Sequence, residues 1–191
     1  MQLDRLIELN RNNNILLNQP ASESQCDSLE LLTDRTLPTD FRSYLLRLNG
    51  QEREAIRMFG YYRLMSCDEI SKQYNVYLDY EKLGNTPPVR HGVELTDPRV
   101  QAGSLWRPGW IFFAAEDTDG NYLAMDLSPT ERGVSGQVFL WQYEEPFFPV
   151  LATSFSHLVD IVCDQISAGV AKPDYSGRFD VRFQKLEQPK S

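Results

Sequence analysis

The sequence predicts an α+β fold, a single domain in which an antiparallel or mixed sheet is flanked by helices. Three observations lead there. Two apolar stripes at helical spacing, Phe41-Tyr44-Leu45-Leu48 and Phe155-Leu158-Val159-Val162-Ile166, stand well apart in the chain. Between them, 110–115 is an unbroken apolar run, the signature of a strand buried on both faces. Directly after it, 121–127 alternates, with Leu123, Met125 and Leu127 on one face and Tyr122, Ala124 and Asp126 on the other. Helices, then closely spaced strands, then a helix describe helices packed against an antiparallel meander.

Each element has its own local argument. Residues 1–35 are polar and Asn-rich at 10–14, and Leu3, Leu6, Ile7 and Leu9 predict a short, weakly anchored helix. A further helical turn is expected at 28–32. Thr36 is a cap candidate, Pro38 suits a first helical turn, and Asp40 favours the positive helix start. Asn49-Gly50 ends that helix, since both residues tolerate positive φ. A strand is expected over 58–65. Ser66 and Glu69 have capping-box spacing and open a helix that Gly84 closes. Residues 84–108 carry four prolines and three glycines with little periodicity, so they read as a long irregular loop of the kind that is either functional or mobile. Asp119-Gly120 is a hairpin signal, 137–143 a third strand of the meander, 144–149 a Pro-bounded turn and 150–152 a fourth short strand. Ser154 caps the last helix, which Gly169 stops. The organisation is therefore an N-terminal helical extension (1–35), the α+β domain (36–170), and a C-terminal tail (171–191) with an extra strand expected at 179–183.

Composition excludes several classes. The chain has 191 residues, 19 Lys+Arg against 27 Asp+Glu, and a net charge of −8. No apolar run is long enough to span a bilayer. The start, Met1-Gln2-Leu3-Asp4-Arg5, lacks the basic and apolar regions of a signal peptide. Three widely spaced cysteines (Cys26, Cys67, Cys163) suit reduced thiols and a cytoplasmic setting better than a disulfide framework. The acidic balance argues against nucleic acid. Nine acids and one base, Arg132, fall within 108–171, so the whole net charge sits there and the remainder balances. Two readings follow: a solvated face that keeps the protein soluble, or a negative field that steers a basic partner.

The chain is poor in catalytic parts. His91 and His157 stand alone, and no Cys-x-x-Cys spacing offers a zinc site. Asp117-Thr118-Asp119-Gly120-Asn121 fails the calcium-loop pattern, because its Gly is fourth rather than sixth. Gly133-Val134-Ser135-Gly136 lacks the spacing of a nucleophile elbow. Asp126 with Glu116 could in principle do acid/base work. The plainer reading is that both are hairpin-surface charges, and an inward Asp126 at a strand end could instead accept backbone N–H bonds as a structural residue. Cys67 and Cys163 sit at apolar helical positions, where a small buried hydrophobe is the default. Trp110 and Trp141 read as core, whereas Trp106, in the irregular loop, reads as a contact residue.

Three blocks in order resemble the SMI1/KNR4 family, or SUKH superfamily. The first is Leu37-Pro38-x-x-Phe41-x-x-Tyr44-Leu45-Leu46-x-x-Asn49-Gly50. The second is Trp110-Ile111-Phe112-Phe113-Ala114, followed by Gly120-Asn121-Tyr122-Leu123-Ala124-Met125-Asp126-Leu127-x-Pro129 and Gly136-Gln137-Val138. The third is Val150-Leu151-Ala152-x-Ser154-Phe155-x-x-Leu158. The resemblance spans about 37–166 and is poor across 84–108 and the tail. It implies an α+β fold and carries over no catalytic set; two unclustered histidines and the lack of a phosphate-binding loop lead separately to an expectation of no metal, cofactor or intrinsic catalysis. The resemblance implies a binding protein, first of all a bacterial immunity protein that occludes a cognate toxin, with an interaction scaffold or regulator of cell-wall (glucan) synthesis as the alternative. The expected partner is a toxin with a basic surface, met in the cytoplasm. The expected contact residues are Glu116, Asp117, Asp119, Glu144 and Glu145 at two turns, which supply the field, and Trp106 and Arg107 in the loop, which supply anchors.

Overall fold

In the computed structural model, residues 2–84, 96–101, 103–116, 120–143 and 147–187 are described, and among them are five helices and five strands. They are α1 (Gln2–Asn12), α2 (Glu23–Thr33), α3 (Thr39–Leu45), β1 (Tyr62–Leu64), α4 (Cys67–Lys82), β2 (Trp110–Glu116), β3 (Tyr122–Asp126), β4 (Gln137–Trp141), β5 (Val150–Ala152) and α5 (Phe155–Ser167). The strands pair in sequence order, β1-β2-β3-β4-β5, and every pair is antiparallel. The α+β meander expected from the sequence is the architecture observed.

Both faces of β2 are buried, as its unbroken apolar run requires. Ile111 and Phe113 meet the face covered by α1, α2, α3 and α5, where Phe41, Leu45, Phe155, Leu158 and Val162 are fully enclosed. Three rings interlock there: Phe41 lies 5.1 Å from Phe155 and 5.6 Å from Phe113, centroid to centroid. Trp110 and Phe112 meet the opposite face, with Phe139, Trp141 and Phe148, and are roofed by Tyr74 of α4 and by Val100, Leu105 and Trp106. Burying one such side chain stabilises the fold by about 1.5–3 kcal/mol. Between Phe112 and Ala114 the register shifts, and the carbonyl of Phe113 at that bulge accepts the Met65 N–H (2.8 Å) just beyond β1.

The caps follow the sequence in part. Ser154 accepts the His157 N–H (3.1 Å), and Ser66 with Glu69 forms a complete capping box. A second capping box, Ser22 with Gln25, opens α2. Thr36 does not cap α3. Pro38 holds that position without a side-chain bond, and Asp40 supplies the acceptor instead (Oδ1 to Phe41 N–H, 2.9 Å). Asn49 (φ +42) and Gly50 (φ +82) turn the chain after α3 as expected. A Cβ on Gly50 would stand 2.6 Å from the Met65 carbonyl carbon, so this close approach requires glycine.

Four expectations are corrected. The strand over 58–65 shortens to Tyr62–Leu64, because Phe59 and Gly60 form a tight turn closed by the Tyr62 N–H on the Phe59 carbonyl (3.1 Å). Helix α1 is firmly anchored: Leu6 is buried and Arg5 reaches Asp164 (2.8 Å) on α5. The tail strand over 179–183 is absent, and among the described residues the segment makes only isolated bridges. The irregular loop is organised in its second half. Arg99 forks onto Asp97 (2.8 and 2.7 Å), and both are buried. The Asp97 N–H bonds Phe147, the Arg99 carbonyl accepts from Thr130 and Gln137, and the Pro98 carbonyl accepts the Thr130 hydroxyl. That buried ion pair ties the loop to the strand connections around it. Residues 85–95 of the loop, His91 included, lie outside the described residues.

Candidate functional site

A meander brings its alternate turns to one end of the sheet. The ends of β2 and β4 meet the start of β3 here, and the stems of the two acid-bearing turns are adjacent. The Tyr143 N–H approaches Asn121 Oδ1 (3.4 Å), and Asn121 Nδ2 donates to Glu116 Oε2 (2.9 Å). Asp117, Asp119, Glu144 and Glu145 themselves lie outside the described residues.

Glu116 is half-buried at the edge of a cleft of about 400 Å³, which is lined also by Arg53, Glu54, Arg57, Tyr61, Ser176 and Arg178. The Arg178 guanidinium lies 4.4 Å above the Tyr61 ring and forks onto Asp174 (2.9 and 3.2 Å). Asp174 also accepts the Ser176 hydroxyl and N–H. The Ser176 bond, the Arg178 N–H and the guanidinium together hold its carboxyl well below the usual range. Partial burial, with Arg178 and Arg63 nearby, lowers the pKa of Arg57 from its ordinary value. Glu116 thus borders three arginines, Arg53, Arg57 and Arg178.

The loop anchor is corrected more sharply. Trp106 is 2% exposed. Its ring is set edge-on to Tyr74 (5.2 Å) and stacked on Tyr77 (5.8 Å), so it belongs to the core beneath α4 and offers no surface to a partner. Its neighbour Leu105 fixes the segment by accepting the Trp141 indole N–H. Arg107 is half-buried, and its charge acts on Asp126. Trp106 and Arg107 are therefore sequence neighbours that serve different surroundings.

Glu116 and Asp126 do not form an acid/base pair. The β2–β3 register sets Asp126 opposite Trp110 and Glu116 beyond the start of β3, at opposite ends of the hairpin. Asp126 is fully buried; its Oδ1 accepts the Ser128 N–H (3.0 Å) and its Oδ2 the Gln137 Nε2–H (3.3 Å). Burial pushes its carboxyl up to about 6, against the pull of those hydrogen bonds and of Arg107. Burial likewise raises the thiols of Cys67 to about 12 and Cys163 to about 11, and all three cysteines are unpaired and enclosed. His157 Nδ1 faces the N–H and hydroxyl of Thr153 (3.3 and 3.2 Å). Among the described residues no three His, Cys, Asp or Glu side chains gather as a metal site, and no helix is long and apolar enough to cross a membrane.

Two polar centres escaped sequence reasoning. The Asp97–Arg99 pair lies in a Pro-bounded stretch without periodicity, and only the Asp-Pro-Arg spacing hinted at a local fork. Asn49 does more than end a helix: its Oδ1 accepts the Cys67 N–H (2.8 Å) at the first turn of α4, and its Nδ2 donates to the Gln19 carbonyl (2.8 Å).

Comparison with known proteins places these residues in context. The chain is 28% identical over 160 residues to the cell wall biosynthesis/cell cycle regulator smi1 of Schizosaccharomyces pombe, covering 78% of this chain and 31% of that protein. It is 25% identical over 185 residues to a glucan synthesis regulatory protein of Neurospora crassa (80% and 35%), and 26% identical over 202 residues to a KNR4/SMI1 homolog of Yarrowia lipolytica (82% and 28%). The chain thus spans about a third of the length of these curated relatives. The SMI1 / KNR4 family (SUKH-1) profile matches residues 20–161, from the approach to α2 into α5, leaving α1 and the tail outside. With the meander, the Asn49-Gly50 turn and the Ser154 cap all lying within that span, the chain belongs to the SMI1 / KNR4 family.

Proposed function

We propose that the chain acts by binding another protein, without catalysis of its own, and takes part in regulating cell-wall glucan synthesis. The observation that carries this reading is the similarity, over about four-fifths of the chain, to fungal proteins named as regulators of wall biosynthesis and glucan synthesis. The geometry is compatible with it: the buried Asp126, Cys67 and Cys163 are all enclosed in the fold, leaving surface features and grooves as the means of action. The sequence reading that put immunity first receives less support than its alternative, because these relatives are fungal regulators. A cytoplasmic site of action remains part of the proposal.

The test is replacement. This chain is exchanged for the matching segment of the Schizosaccharomyces pombe relative, and wall β-glucan content and resistance to glucanase digestion are measured. Restoration by the chain, with loss in a Phe41→Ala variant that removes the core ring, supports the reading. A folded, expressed chain that restores neither property defeats it.

The second reading, neutralisation of a toxin, rests on the acid excess within 108–171. Its own test is reversal of Asp117, Asp119, Glu144 and Glu145 together, with association kinetics against a toxin encoded beside the gene. Steering predicts slower association that fades with salt, since screening acts over about 8 Å at physiological ionic strength. An unchanged rate rejects it.

A further inference from the structure

The segment 182–187 crosses the fold as an extended strap whose contacts are those of a bound peptide. At its start, Arg182 exchanges a reciprocal pair of bonds with the Gln165 side chain on α5: the Arg182 N–H donates to Oε1 and its carbonyl accepts from Nε2, both at 2.9 Å. That is how an amide side chain imitates a neighbouring strand. Further on, the Leu186 N–H donates to the Val150 carbonyl on β5 (2.7 Å), and the Leu186 carbonyl accepts from Arg99 Nη2 (2.7 Å). The Leu186 side chain packs against the aromatic core cluster, and Lys185 Nζ lies 3.7 Å from Asp97 Oδ2. Main-chain groups are thus caught at both ends, the Lys185 cation is caught between them, and the Leu186 side chain is caught at the second end. This division of labour is that of peptides added to a sheet edge.

We infer that the β5 edge, with Asp97, Arg99 and Gln165, is a docking site for an extended peptide carrying a basic residue followed by an aliphatic one, and that Lys185-Leu186 occupies it in cis. The chemistry of the occupant defines the ligand. Asp97, the cation acceptor, is wholly enclosed and faces Lys185, while Arg99 is fixed by the fork on Asp97 so that Nη2 also points an N–H at a peptide carbonyl. Two observations mark the strap as separable from the fold it lies on. It falls outside the family match, which ends at residue 161. It also lies loosely in its trough: a groove of about 760 Å³ opens between the strap on one side and Leu151, Ile161 and Val170 on the other, with Val170 66% exposed. A partner segment of the same pattern would displace the strap and form that side of the groove in its place. The inference holds for any partner and does not depend on the glucan reading.

The experiment uses the full chain and a fluorescent synthetic peptide copying 182–187. In the protein, Leu186→Pro removes the N–H that bonds Val150, and Lys185→Glu opposes Asp97, so the two together release the strap. Peptide binding is followed by anisotropy, and folding by thermal melting. If the strap occupies the site nine-tenths of the time, the doubly substituted protein binds the peptide about tenfold more tightly than the unsubstituted chain. Peptides carrying Lys185→Glu or Leu186→Asp, tested on the same protein sample, bind at least tenfold more weakly. A released protein that melts cooperatively yet does not bind the peptide overturns the inference, as do altered peptides that bind equally well. Loss of cooperative melting on release overturns it too, because the strap would then be part of the core. The readout needs only purified protein and peptide, so it can fail while the glucan replacement succeeds, and the reverse.

Discussion

The Asp40 carboxylate on α3 joins two helices: while Oδ1 takes the N–H of its own neighbour Phe41, Oδ2 accepts the Ser156 N–H at the first turn of α5 (2.8 Å). One acidic side chain therefore satisfies the starts of two helices that share the Phe41–Phe155 ring contact. Asp40→Ala is expected to cost about 1–2 kcal/mol, read as a lower urea midpoint at unchanged slope. Asp40→Asn, which keeps an acceptor, should lose less.

Gly50 is held by contact as well as by conformation. Gly50→Ala brings a Cβ against Met65 and Ser66 backbone at a φ of +82, and is expected to cost about 3 kcal/mol or more. Gly84 has a similar φ of +65 with nothing within 4 Å of the added carbon, so Gly84→Ala should cost only about 1 kcal/mol. Thermal melts of the two variants separate the steric cost from the conformational one.

Stability should respond to pH with two opposed contributions. The Asp126 carboxyl is raised from an ordinary value near 3.8 to about 6, so the folded protein holds a proton that the unfolded chain releases between those values. Its contribution therefore rises as pH falls from 6 to 4, by about 3 kcal/mol. Asp97 is lowered, because the hydrogen bonds from Arg99 outweigh its burial, and its contribution is lost as pH falls below the ordinary carboxylate range. Urea titrations across pH 3–7 should show a maximum between the two windows. Asp126→Asn removes the upper limb and leaves the lower one; persistence of the upper limb would refute the assignment to Asp126.

Trp106→Ala should behave as a core truncation, with a loss of about 3–5 kcal/mol. Trp106→Phe, which retains a ring against Tyr74 and Tyr77, should retain most of the stability. A surface anchor would show the opposite pattern: unchanged melting with altered binding.

Buried, protonated thiols should be inert. In the native protein at pH 8, Cys26, Cys67 and Cys163 are expected to react with a maleimide only as fast as the fold opens, and quickly once urea is added. Rapid labelling of the folded chain at any of the three would contradict their placement.

What could be read from the sequence was what is encoded over short distances. The α5 stripe with its Ser154 cap and the double-sided burial of β2 announced themselves through local period and spacing, whereas the inward Asp126 was only one of several open readings. The start of α2 did not, although Ser22-x-x-Gln25 is a capping-box pattern, because the helix buries little more than Cys26, Leu29 and Thr33 and leaves Leu31 85% exposed. The fate of Trp106 was hidden for a different reason. Its burial depends on polar anchors whose partners lie far along the chain, such as Arg99 with Leu186 and Gln137. The candidate site shows the same divide: Glu116 was found by composition, whereas Arg53, Arg57 and Arg178 reach it from distant segments and carry no shared motif.

The docking of α1 on α5 has a consequence for the order of synthesis. Arg5 and Leu6 are made more than 150 residues ahead of Asp160 and Asp164, the ion-pair partners of Arg5 on α5. At about 5–20 residues per second that interval lasts roughly 8–30 s. Throughout it α1 lacks its seat on α5, although Asp4 can already meet Arg47 (2.8 Å), while the β2–β5 meander, whose partners are all close in sequence, can already assemble. Helix α1 is therefore made well ahead of α5 yet completes its placement only after it, so its docking records that the elements between them have formed.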